Sequence, residues 1–288
     1  ALPILQPPDA RPLSPESARA LRLTARRTWH FFQTFVTAEH RHLPPDNHQE
    51  TPVPLTAART SPTNIGLYLL SCVAARDFGW IGLPETVSRL QQTLASVAAL
   101  EKLNGHLFNW YDTTDGTVLA PRYVSTVDSG NLAGHLIALA QACQDWADAP
   151  DQDVRPGLLD TLDLARQDGD PELMDRITAA ITAPQPEWAA IARLTRGAGT
   201  DCPWLASLHH QAAAHLADPD PDLLDALRAL AVQAHDMAWA MQFGFLLDPD
   251  RKLLSIGFAQ SENTRDRSCY DLLASEARLA SLFAIAKG

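Results

Sequence analysis

Three segments of this chain carry helical spacing but no polar face: SPTNIGLYLLSCVAA from Ser61, DSGNLAGHLIALAQAC from Asp128, and SCYDLLASEARLASLFAIA from Ser268. A helix without a wet stripe has to be covered on all sides, so these segments require an architecture with an inner helical layer. The other periodic segments supply an outer one. Ser14-Pro15-Glu16 reads as a helix start, with a hydroxyl cap, a proline in the first turn and a carboxylate at the positive end of the dipole. Leu21, Ala25, Trp29, Phe32 and Val36 then recur at steps of three and four. Val87, Leu90, Leu94 and Val97 do the same after Pro84, and Leu223, Leu227, Leu230 and Met237 after Pro221. Enclosed helices alternating with one-sided ones fit a mainly α fold, an (α/α)6 barrel-like toroid, although a buried bundle core gives the same pattern. Twelve helices of about 11–12 residues with their connections need more than these 288 residues, so the toroid is expected to be incomplete.

The clearest strand signal is FGFLLDPDRKLLSIGF, residues 243–258, where Asp248-Pro249-Asp250 parts two apolar runs and predicts a small β-hairpin. Residues from about 150 to 220 are polar, interrupted by proline and irregularly helical, best over Pro171 to Ile181, and are expected outside the barrel's centre. With that segment included, residues 1–288 read as the N-terminal part of a single domain.

Thirty-four acidic against 23 basic side chains leave a net charge of −11, which repels phosphate and argues against nucleic acid and anionic membrane surfaces as partners. No apolar run approaches the ~20 residues of a membrane span, so no direct membrane insertion is expected. Cys72, Cys143, Cys202 and Cys269 form no C-x-x-C pair, which fits a reducing compartment. His209, His210 and His215 have no carboxylate or cysteine at ligand spacing, so no metal site is expected. G-x-S-x-G, G-x-G-x-x-G, Walker and H-E-x-x-H motifs are absent from the sequence, and no cofactor is implied.

Polar residues gather at the starts of the enclosed helices: Arg59 to Asn64, Tyr123 to Asn131, and Cys269-Tyr270-Asp271. If these helices start on one rim, their backbone donors and side chains surround a common cleft. Ser61, Asp128 and Ser268 read equally well as ordinary N-caps. Between the segments, Gly105 to Asp112 interleaves rings with short hydrogen-bonding groups, which suits a carbohydrate cleft: Trp110 and Tyr111 would stack on sugars while Asp112 bonds hydroxyls. A surface loop anchored by one buried tryptophan is the alternative. Glu276 stands in an apolar helix, where burial would raise its pKa and suit it to general acid work. A structural ion pair is the other reading.

At these residues the sequence resembles the middle region of the cyclic β-1,2-glucan synthases, large inner-membrane proteins of Gram-negative bacteria. The strings are LPPDN (43–47), RTSPTNIGLYLLSCVAARDFGWI (59–81), GHLFNWYDT (105–113), PRYVSTVDSGNLAGHLIAL (121–139), FGFLLDPDRKLLSIGF (243–258) and YDLLASEARLASLFAIAKG (270–288). The resemblance implies an (α/α)6 barrel of glycoside hydrolase family 189, a retaining transglycosylase that cleaves and cyclises linear β-1,2-glucan. It implies Glu276 as acid/base, with the nucleophile in a second glutamate motif beyond Gly288, so the isolated chain is expected to be short of one catalytic carboxyl. Asp46, Asn47, Arg59, Asn64, Trp110, Tyr111, Asp112, Asp128 and Asn131 are the expected subsite residues. The implied partners are β-1,2-glucan and the glycosyltransferase and phosphorylase-like domains of a parent synthase, on the cytoplasmic side of the inner membrane. An inverting endo-β-1,2-glucanase and a non-catalytic glucan-binding module remain the alternatives.

Overall fold

A computed structural model of the chain describes residues 12–167, 169–197, 202–216, 222–270 and 277–288. Its helices are α1 (Pro15–Phe35), α2 (Pro62–Asp77), α3 (Leu83–Ala99), α4 (Thr126–Asp148), α5 (Arg155–Ala165), α6 (Pro171–Thr182), α7 (Trp188–Thr195), α8 (Pro203–Leu216), α9 (Leu223–Ala240) and α10 (Arg278–Lys287). Local signals set several starts. The Ser14 and Ser61 hydroxyls accept from the backbone N–H three residues on, and proline follows each in the first turn.

The packing is two-layered. α4 lies against α2, α9 and α10, while α1 and α3 back onto α2 and α3 also meets α9. The segments without a wet face, α2, α4 and α10, thus form an inner row, and α1, α3 and α9 lie outside it. Among the described residues this row is an arc and closes no ring. Small residues set its spacing: a Cβ on Gly130 would fall 2.4 Å from the Ala280 nitrogen, and one on Gly66 would fall 2.3 Å from His135 Nδ1. Val87, Leu90, Leu94 and Val97 are all buried, as the α3 stripe requires. The α1 stripe drifts. Leu21 is 58% exposed, whereas Arg26 is fully buried.

The reason for that drift is the segment α5 to α8. It has its own apolar core, built on Leu158, Leu162, Ile177, Ile181 and Leu208, and it docks α5 on α1 through polar side chains. Asp160 accepts from Arg22 Nε at 3.0 Å and Nη2 at 2.6 Å, and from Trp80 Nε1 at 2.9 Å. Arg26 donates to Thr161 and lies over the Trp204 ring, and burial pulls its pKa down to about 10.

Short antiparallel strands join the helices: β1 (His48–Gln49) with β2 (Leu55–Thr56), β3 (Arg59–Thr60) with β6 (Tyr111–Asp112), and β4 (Lys102–Leu103) with β5 (His106–Leu107). The expected hairpin is present as β8 (Leu247–Asp248) with β9 (Leu253–Leu254). The chain continues into β10 (Gly257–Ala259), which lies between β7 (Tyr123–Ser125) and β11 (Thr264–Arg265). The helix start expected at Ser268 is not observed. Ser268 lies outside any helix because Cys269 bridges Ser255 and the Tyr270 nitrogen donates to Leu254 O, which holds this stretch extended. Helix resumes in the described residues at Arg278. The four cysteines are free thiols, and no described helix is long and apolar enough to cross a membrane.

Candidate functional site

The inner helices α2, α4 and α10 begin on one rim. The first turns of α2 and α4 are tied directly, Thr63 Oγ1 donating to Asp128 Oδ1 at 2.6 Å and Asn131 Nδ2 to Thr63 Oγ1 at 3.2 Å. The first turn of α10 touches the first turn of α4 at Ala280 and Gly130. Local chemistry fixes each start. Ser125 caps α4 by accepting from the Asp128 nitrogen, so Asp128 is not the N-cap, and its carboxylate is free to turn toward α2. Thr126 Oγ1 donates to the Ser255 carbonyl at 2.6 Å, which holds the β7 entry to α4 against β10.

The strand pair β3 and β6 brings the loop 108–110 to the same rim by setting Arg59 opposite Asp112 and Thr60 opposite Tyr111. Arg59 then bridges two groups. Its Nε and Nη2 donate to Asp46 Oδ2 at 3.1 and 2.8 Å, and its guanidinium lies 4.7 Å from the centre of the Trp110 ring. Asn64 and Asn47 also donate to Asp46, at 3.4 and 3.1 Å. Asn109 closes the chain of contacts: in the amide orientation that satisfies both neighbours, its Nδ2 donates to Asp128 Oδ2 at 3.1 Å and its Oδ1 accepts from Trp110 Nε1 at 3.3 Å. One connected polar cluster therefore runs from Asp46 through Arg59, Trp110, Asn109 and Asp128 to Thr63 and Asn131. It offers carboxylate acceptors, amide donors and a half-buried indole on one open rim, a set suited to a polyhydroxylated ligand.

Seven of the expected subsite residues, Asp46, Asn47, Arg59, Asn64, Trp110, Asp128 and Asn131, join this cluster. Two do not. Tyr111 is fully buried, and its hydroxyl donates to Glu101 O at 2.6 Å while accepting from the Phe108 nitrogen at 2.7 Å. Burial pushes its phenol above the ordinary value, and the ring is core; the expectation that it stacks on sugar is corrected. Asp112 spends its Oδ1 on Thr114, accepting from the hydroxyl at 2.5 Å and the nitrogen at 2.7 Å. Those bonds lower its pKa and make it a turn carboxylate. The loop's anchors are thus Tyr111, Phe108 and His106, not Trp110. His106 is bonded to Ser129 at 2.9 Å, and burial drives its pKa down to about 4. Glu276, the expected acid/base, and Asp271 lie outside the described residues. Thr63 and Asn109 are the members that sequence reasoning did not single out. Both stand inside the quoted strings, and what selects them is their tertiary partner, Asp128.

Among the described residues no three His, Cys, Asp or Glu side chains converge to hold a metal ion. No protein-family profile matches the chain. It is 44% identical over 328 aligned residues, 97% of its length, to the cyclic beta-(1,2)-glucan synthase NdvB of Rhizobium meliloti (strain 1021). The chain spans 12% of that protein's length. Among solved structures, a glucoamylase-like protein of Bacteroides fragilis NCTC 9343 matches with a TM-score of 0.50 at 12% identity, over 90% of this chain and 44% of the other. That likeness concerns the fold, and it agrees with the two-layered α/α arc.

Proposed function

We propose that this chain is the N-terminal part of the sugar-processing domain of a cyclic β-1,2-glucan synthase, and that the complete domain cleaves and cyclises linear β-1,2-glucan by retaining transglycosylation. The observation that carries the reading is the single polar cluster at the inner-helix starts, built from residues of four strings that resemble the synthases. The 44% identity to NdvB, with an α/α toroid as structural neighbour, supports a carbohydrate-active role.

In this reading Glu276 protonates the glycosidic oxygen while a carboxylate from the sequence after Gly288 attacks the anomeric carbon and forms a glycosyl-enzyme. The glucan's own far hydroxyl then replaces that bond, giving its proton to Glu276. A retaining pair of this kind stands about 5–5.5 Å apart. Asp46, Asn47, Arg59, Asn64, Asp128 and Asn131 bond glucose hydroxyls, and Trp110 contributes an apolar wall. The outer face of α10 fits a domain that continues. Leu282 and Ile285 are 66% and 76% exposed, and a cavity of about 490 Å³ opens between Ile285, Ala284, Phe243 and Leu253. Further helices of the toroid would cover both. In the parent the domain works beside glycosyltransferase and phosphorylase-like domains on the cytoplasmic side of the inner membrane.

The test is Glu276→Gln in the full-length protein, with products from linear β-1,2-glucan analysed by mass. Wild type should yield rings, each one water lighter than the linear oligosaccharide of the same length. The variant should lose at least about 100-fold in rate, the lower end of a general acid/base contribution, while glucan binding persists. Linear products with inverted anomeric configuration would favour an endo-glucanase, and binding without turnover by the wild type would favour a binding module.

A further inference from the structure

Asn109 is the cluster side chain that joins the Trp110 ring to the Asp128 carboxylate. A single orientation of its amide satisfies both neighbours, the nitrogen donating to Asp128 Oδ2 and the oxygen accepting from Trp110 Nε1. Trp110 is itself immobilised, since the Arg59 guanidinium covers its ring and Asp46 holds Arg59 from the other side. Asp128 has its second oxygen on Thr63 at 2.6 Å. Loop 108–110 is seated against α4 by the His106–Ser129 bond and by the Asn109 backbone nitrogen on the Tyr123 carbonyl. Within that frame the Asn109 amide is what ties the Trp110 ring to the Asp128 carboxylate.

Resting on the glucan reading above, we infer that Asn109 is a positioning residue: it fixes the Asp128 carboxylate and the Trp110 ring relative to each other, so that one glucose unit is met by both at once. It acts through these two neighbours. An amide is the group that can do this, because it donates at one end and accepts at the other. A carboxylate in its place keeps the shape and the acceptor toward Trp110 but sets a second negative charge about 3 Å from Asp128. Two carboxyl groups that close cannot both ionise, so one keeps a proton to higher pH.

The experiment compares wild type, Asn109→Asp, Asp128→Asn and the double variant in the full-length protein, measuring thermal unfolding and affinity for linear β-1,2-glucan at pH 5 and pH 7. Losing a hydrogen bond to a charged group should weaken binding by Asn109→Asp at pH 7 by about tenfold or more. The loss should shrink at pH 5, where a shared proton replaces the missing donor. In the Asp128→Asn background the same substitution should lose its pH dependence, and its melting temperature should recover, because an asparagine at 128 donates to the new carboxylate. A loss of affinity equal at both pH values and unchanged by Asp128→Asn would overturn the positioning role, as would wild-type affinity in Asn109→Asp. Melting temperatures that follow the charge pattern while wild type binds no glucan would sink the glucan reading, and the positioning role with it, leaving the contact itself in place.

Discussion

The inner row α2, α4 and α10 and the segment α5 to α8 are both helical, yet the balance of apolar and polar contacts that holds them differs. The inner row has apolar and small residues at its contacts, with α10 backbone resting on Gly130, and it belongs to the larger hydrophobic core. The segment α5 to α8 keeps a separate core and meets the rest of the molecule largely through polar side chains, with one close backbone contact where Gly157 on α5 rests on the Gly79 carbonyl. Arg19 pairs with Asp163, Arg22 with Asp160 and His210 with Glu85, while Gln211 donates to the Gly79 carbonyl. Tight backbone contact fixes a geometry that a neighbouring site depends on, whereas a polar seam joins two bodies that each keep an interior. Damage at the first should therefore spread to the rim, and damage at the second should stay local.

The largest effect should come from Gly130→Ala. Its methyl would sit 2.4–2.6 Å from the Ala280 nitrogen, Cα and Cβ, mostly backbone atoms that cannot rotate away. Overpacking costs about 3 kcal/mol in the less tolerant cases, and this contact is of that kind. Urea unfolding should show that loss, and hydrogen exchange should rise together in α10 and the first turn of α4. Unchanged protection there would mean that the inner row tolerates a wider spacing.

A middle-sized effect is expected at the seam. Arg22→Ala strips two donors from Asp160, which is nearly buried and keeps Trp80 Nε1 as a partner. Hydrogen bonds to a charged group contribute about 1.5–3 kcal/mol. Exchange should quicken in α5 across the amides facing α1, while α2 and α4 keep their wild-type protection. Equal loosening of both regions would abolish the distinction drawn here.

The same contrast explains what could be read without coordinates. Helix starts at Ser14 and Ser61 and the turn at Asp248 depend on a few neighbouring residues, so local chemistry specifies them. The three helices without wet faces imply an inner layer through periodicity alone. Arg26 and Tyr111 show the limit. An arginine on α1 is read as solvated until α5 supplies Thr161 and Trp204 around it, and a tyrosine in a polar loop looks available until its hydroxyl finds the Glu101 carbonyl. Asp128 likewise has the sequence context of an N-cap, and only the pairing with Thr63 and Asn109 places its carboxylate in the cluster. Of the cluster's members, Arg59, Asn64, Asp128 and Asn131 were legible because they stand at or just before helix starts, and Trp110 because rings and polar groups interleave in its loop. Asp46 and Asn47 were named only through the resemblance. Which of them touch was not legible, since those contacts join stretches far apart in sequence.

The smallest expected effect is a pH dependence confined to the seam. Glu85 on α3 meets Arg89 at 2.8 Å and His210 on α8 at 3.4 Å, beside Tyr68 and His42. The bond to Glu85 raises the His210 pKa above its ordinary value against the opposing effect of burial. Burial works against the Glu85 carboxylate, but the bonds from His210 and Arg89 outweigh it and hold its pKa below the usual range. The histidine's contribution is full below its unfolded pKa of about 6.5 and is lost as pH rises through the higher folded value. The glutamate's contribution is present above its unfolded pKa of about 4.3 and is lost as pH falls through the lower folded value. The clasp is therefore strongest near pH 5 to 6. His210 is mostly exposed, so solvent screening holds the effect to a few tenths of a kcal/mol. Urea midpoints for wild type and His210→Gln should differ most near pH 5.5 and converge by pH 8. A difference that stays constant across that range would mean that the imidazole contributes packing at the seam and no charge.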